Sequence, residues 1–148
     1  MTVTNHAITA ANISLAVQKW WILPIALASH FIVDCLPHYG EKPGGRGKKF
    51  FTVQMIDACL LVAMFFLALS NPDNNNLIIW LAMVLAILPD AIWVYRFVHE
   101  QHGDINKPVS SFSRLHSKFN WLEHSWGWII EIGWFIVMFA IFIKLLPL

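Results

Sequence analysis

Three side chains able to bind a transition metal recur every four residues early in the sequence: His30, Asp34 and His38. At about 100° per residue, an α-helix brings them within roughly 80° of one another, on one face. Two imidazoles and a carboxylate at this spacing are donors for a divalent cation, as paired i, i+4 histidines are in zinc proteases. Pro37 intervenes, so the helix is expected to end there and leave His38 on a bend.

A second set lies near the C-terminus. On a single helix, His116, Asn120, Glu123, His124, Gly127 and Glu131 project within about 100° of one another, opposite Trp, Ile, Phe and Leu. Gly127 in that stripe leaves room for a neighbouring helix or a ligand. Asp57, one turn after Gln54, and Asp90, directly after Pro89, complete the ionisable residues found within apolar sequence. Pro89 leaves the carbonyl of Leu85 without its helical donor and is expected to kink the chain. Taken singly, each aspartate is as well suited to a hydrogen-bonded structural role as to a chemical one.

The surrounding elements are apolar. Of 148 residues, 57% are hydrophobic and 13% charged, with eight Trp and eleven Phe, more apolar surface than one small soluble core can hide. A formal charge of +1 with no basic arm gives no footprint for nucleic acid. Cys35 and Cys59 sit in apolar runs and read as buried small hydrophobes rather than a disulfide framework. Asn12-Ile13-Ser14 matches a glycosylation sequon of the kind chance supplies.

Four continuous runs approach the roughly 20 residues needed to cross a hydrocarbon core: 10–36, 50–69, 77–97 and 121–146. Their continuity favours helices over barrel strands. Lys42, Arg46, Lys48 and Lys49 crowd the first loop, and Arg96, Lys107, Arg114 and Lys118 the third, while residues 70–76 carry no Lys or Arg. The positive-inside rule then makes loops one and three cytoplasmic. The expectation is an all-α integral membrane four-helix bundle, one domain, with both termini on the non-cytoplasmic side, in a bacterial inner membrane.

A lone charge near the bilayer centre costs about 2.5–3.5 kcal/mol on insertion scales, so the ionisable groups should face the bundle interior. At helical rise His30, Asp57 and Asp90 lie about 10 Å below the cytoplasmic end, Asp34 and His124 about 5 Å, and Glu131 about 15 Å. Facing helices build metal sites from such a layer. His116 and Glu131 are separated by about 22 Å at helical rise, so some members act only as outer partners. Mixed His and carboxylate donors suit zinc, manganese or iron better than Cu⁺. Such a cation supplies an activated water, with Glu123 or Glu131 as general base. His99, His102 and Asp104 read as loop residues or as an entrance to the site.

The segments Ser29-His30-Phe31-Ile32-Val33-Asp34-Cys35-Leu36-Pro37-His38, Ile87-Leu88-Pro89-Asp90 and Leu115-His116-Ser117 resemble those of the small membrane-bound, predicted metal-dependent hydrolases. That family is related to the zinc-dependent phospholipase C group. The resemblance spans most of the chain and implies metal-dependent hydrolysis of a phospholipid or other lipid-borne ester, with His30, Asp34, Asp90 and His116 as matched positions. Ala91-Ile92-Trp93 and Ser113-Arg114 depart from the pattern. Other readings are a haem protein using His30 and His124 as axial ligands, a transporter, and a non-catalytic bundle with a polar seam. Apolar outer halves of the third and fourth spans speak against transport. Membrane lipid is the expected partner, and Trp-rich outer surfaces are compatible with a homo-oligomer.

Overall fold

The computed structural model describes residues 1–39, 48–70, 76–91, 118–119 and 122–146. Among them are five α-helices: α1 (Val3–Val17), α2 (Leu23–Asp34), α3 (Lys48–Leu69), α4 (Asn76–Ile87) and α5 (Trp128–Leu145). The protein is all-α apart from one short parallel pairing of β1 (His38–Tyr39) with β2 (Glu123–His124).

The first apolar run is not one span. Gln18 adopts φ 51°, a left-handed conformation, and its N–H bonds to the Ser14 carbonyl to end α1. Lys19 is extended, a 3-10 turn covers Trp20–Ile22, and α2 restarts with a proline in its first turn. Pro24 has no N–H to give, which is harmless only at the start of a helix. Residues 1–34 are therefore a helical hairpin.

Helix α1 packs against all four other helices. Its side chains meet α5 in ascending order on both: Asn5 with the Glu131 carbonyl, Thr9 with Trp134, Asn12 with the Met138 carbonyl. These two helices thus run in the same direction. Helices α2 and α4 run the opposite way, with His30 beside Ala86 and Asp34 in the same cluster as Asp90. The ends of α2 and α4 and the starts of α1 and α5 share one end of the bundle. Met1 lies there and Leu146 at the other end, so the expectation of both termini on one side is corrected by the hairpin.

The most polar helix occupies the middle. Thr4, Asn5, His6, Thr9, Asn12 and Ser14 are all buried, while Ile56, Val62 and Phe66 of α3 and Ile132, Ile136 and Val137 of α5 face outward. Two helices, Phe51–Leu69 and Trp128–Leu145, are long and apolar enough to cross a membrane; Trp20–Asp34 and Leu77–Asp90 are shorter apolar helices. Asn12 of the sequon is buried against α5, where a glycan has no room.

The expected fourth span also starts late. Residues 122–127 are turn and strand because β2 pairs with β1, His38 opposite Glu123 and Tyr39 opposite His124. Gly127 permits this approach: a Cβ there would overlap the carbonyl group of His38. The wheel that placed Glu123 and His124 on one helical stripe with Glu131 therefore does not apply. The third span is helical to Ile87 and then a 3-10 turn over Leu88–Asp90; its remainder, from residue 92, lies outside the described residues.

Candidate metal centre

Helix α4 ends where Pro89 cannot donate to Leu85, and the chain tightens into the 3-10 turn carrying Asp90. This termination leaves the Ala86 carbonyl without an i+4 helical donor. His30 reaches it with Nδ1 at 2.7 Å. A carbonyl only accepts, so Nδ1 carries the proton and Nε2 is the nitrogen turned to the bundle interior.

That Nε2 lies 3.0 Å from Asp34 Oδ2 and 3.9 Å from Asp90 Oδ1. From α1, His6 brings its Nε2 to 3.1 Å from Asp34 Oδ1 and 3.9 Å from Asp90 Oδ2. The two imidazoles stack, with ring centroids 4.0 Å apart. His6, His30 and Asp34 are buried, and Asp90 is partly so. The α-ammonium of Met1 donates to Asp34 Oδ1 at 2.8 Å.

Two carboxylates facing two imidazole nitrogens in a buried space need positive charge between them. The Met1 α-ammonium supplies it to Asp34 but, among the ion pairs of the described residues, not to Asp90. Ligand atoms of His6, His30 and Asp90 lie within 4.8 Å of one another. Donors about 2 Å from one tetrahedral ion stand about 3.3 Å apart, and His6 and His30 approach Asp90 to 3.9 Å. Despite the 3.1 Å approach, His6 Nε2 is out of line for a hydrogen bond to Asp34, and neither His6 nitrogen meets hydrogen-bond geometry with any described group. A lone pair directed at a shared cation has no need of that alignment. The residues therefore fit a divalent ion held from α1, α2 and the turn after α4.

Of the residues singled out from sequence, His30, Asp34 and Asp90 come together here. Asp57 and Glu131 point at the start of α1 instead: Asp57 accepts from the N–H groups of Val3 and Thr4, and Glu131 from that of Thr2. His38 is buried in β1, its Nδ1–H donating to the Leu36 carbonyl and its Nε2 3.8 Å from the half-exposed Glu123. His124 is exposed and stacks on Trp126, away from His30. His116, like His99, His102 and Asp104, lies outside the described residues.

His6 precedes the first apolar run, which starts at residue 10, and so does not count among the ionisable residues within apolar sequence. The available signal was the run of buried-compatible small and polar residues from Thr4 to Ser14, with Asn5, Thr9 and Asn12 on one helical face.

The fold and site define the class: an all-α protein with two helices able to cross a membrane and a His/Asp group able to hold a metal ion. No protein-family model, curated protein or solved structure matches the chain.

Proposed function

We propose that this protein is a membrane-embedded, divalent-cation-dependent hydrolase acting on a phospholipid or another lipid-borne ester. One observation carries the reading: two imidazoles and two carboxylates from α1, α2 and the turn after α4 meet in one largely buried cluster. His6, His30, Asp34 and Asp90 are the assigned ligands. The donor set favours zinc, with manganese or iron as alternatives. When bound, such an ion lowers the pKa of a coordinated water and polarises an ester oxygen.

A bilayer location is supported by the inverted distribution of polarity, a polar helix inside and apolar faces outside. Exposed Trp20 and Trp21 at one end and Trp126 and Trp128 at the other suit two interfacial belts. The basic first and third loops put the metal end on the cytoplasmic side, and an inner membrane is the matching location.

A second reading, a bundle whose polar interior serves packing alone, draws on the many α1 side chains bonded to α5. Elemental analysis of chelator-free, detergent-purified protein separates the two. About one ion per chain, lost in His30→Ala and Asp90→Ala, is expected and would justify a phosphodiesterase and lipase screen. A metal-free wild type would sink the hydrolase reading.

A further inference from the structure

Helix α1 lacks a cap of its own. Thr2 stands at the N-cap position in extended conformation, yet its side chain makes no capping hydrogen bond. The free N–H groups at the start of a helix need acceptors when buried. Here α3 supplies them: Asp57 Oδ2 accepts from Val3 N at 2.9 Å and Oδ1 from Thr4 N at 3.1 Å. The pairing is reciprocal, since Thr4 Oγ1 donates to the Asp57 backbone carbonyl at 2.9 Å. Asp57 and Thr4 are both buried.

His6 follows two residues later. Asn5, Thr9 and Asn12 tie α1 to α5, while Ala7, Ala10 and Ala11 are small side chains that offer few knobs. The hold of its first turn on α3 therefore rests on the Asp57–Thr4 pairing. A slip of one residue moves a helix about 1.5 Å and turns it about 100°, enough to carry His6 out of reach of Asp34 and Asp90.

We infer that Asp57 is a positioning residue for the metal site: it acts through His6 by locking the start of α1 to α3. This rests on the proposed cation site. It assigns Asp57 a role other than ligand, because both its carboxylate oxygens are already engaged by α1.

The test is a Co²⁺ titration of detergent-purified protein, followed by visible absorption, on wild type, Asp57→Asn, His6→Ala and the double variant. Asparagine keeps one acceptor and turns an N–H₂ toward a backbone N–H, so the lock is broken without loss of volume. Asp57→Asn should weaken Co²⁺ binding about 10–100-fold, the range of outer partners of metal ligands. Its absorption band should move toward that of His6→Ala. In the His6→Ala background, Asp57→Asn should cost nothing further, since both act through one contact. Thr4→Val, a milder break of the same lock, should shift the band in the same direction and keeps the inference testable if Asp57→Asn does not fold. Wild-type affinity in Asp57→Asn, or an undiminished loss in the double variant, overturns the positioning role. A wild type that binds no Co²⁺ overturns the cation site itself, and the positioning role with it.

Discussion

His30 donates its Nδ1–H to the Ala86 carbonyl, in the last turn of α4 before Pro89 and the 3-10 turn that carries Asp90. The end of one helix thus fixes a histidine tautomer on another and places Asp90 opposite the same ring. Pro89→Ala should let α4 continue, reclaim the Ala86 carbonyl for Asp90 N–H, and turn Asp90 away. We expect metal affinity to fall about 10–100-fold, as for loss of an outer-shell partner, while helical content by circular dichroism is kept or slightly raised. Unchanged metal affinity would show that the turn does not position the site.

The two histidines that stack in the centre should behave differently from the one on the surface. His6→Ala should lower metal affinity by at least about 100-fold, beyond what outer partners carry. His124→Ala should retain full metal content, because its ring stacks on Trp126 at the exposed strand. Plasma mass spectrometry after equilibration in a buffered zinc series distinguishes them. Metal loss in His124→Ala alone would relocate the site.

Glycine substitutions offer a contrast within one segment. Gly127→Ala drives a methyl into the His38 carbonyl and should destabilise the protein by about 1–3 kcal/mol, the usual cost of overpacking. Gly133, inside α5, has no neighbour within 4 Å of an added Cβ. Gly133→Ala should be neutral or stabilising by about 0.4–1 kcal/mol. Thermal unfolding in detergent ranks the pair; equal effects would remove the close approach of β1 as an explanation.

If the outward apolar faces meet lipid, the tryptophans should report it. Brominated phospholipids with the label near the headgroup should quench emission more strongly than those labelled at the chain terminus, since Trp20, Trp21, Trp126 and Trp128 occupy the two ends. Release of the protein into the supernatant by alkaline carbonate washing of membranes would contradict the embedded arrangement.

Sequence pattern carried the helical class and the apolar runs that became α3 and α5, because long continuous hydrophobicity is a local property. The i, i+4 spacing of His30 and Asp34 and the Leu-Pro-Asp turn at Asp90 are local too, and the structure brings these three residues to one place. What sequence pattern could not carry was the hairpin at Gln18, a non-glycine residue in a left-handed conformation that no turn motif marks. Without that reversal His6 has no reason to meet His30. Glu123 and His124 were misplaced for a related reason: a two-residue strand pairing, made possible by Gly127, outweighs the helical periodicity of the segment. Asp57 and Glu131 were legible as buried acids but not as acceptors for a helix whose position was unknown.

The inverted polarity of α1 has a consequence for biogenesis. A helix carrying Thr4, Asn5, His6, Thr9, Asn12 and Ser14 is a poor substrate for lateral release into lipid, whereas α3 and α5 are good ones. If α3 and α5 cross a membrane, α1, translated before its four neighbours, is expected to wait near the aqueous face until they form a chamber for it. Arrested nascent chains provide the check: protection of residues 3–17 from protease should arise only once α5 has cleared the ribosome. Protection of α1 in shorter chains would show that it enters the bilayer unaided. Synthesis order and burial order would then run in opposite directions.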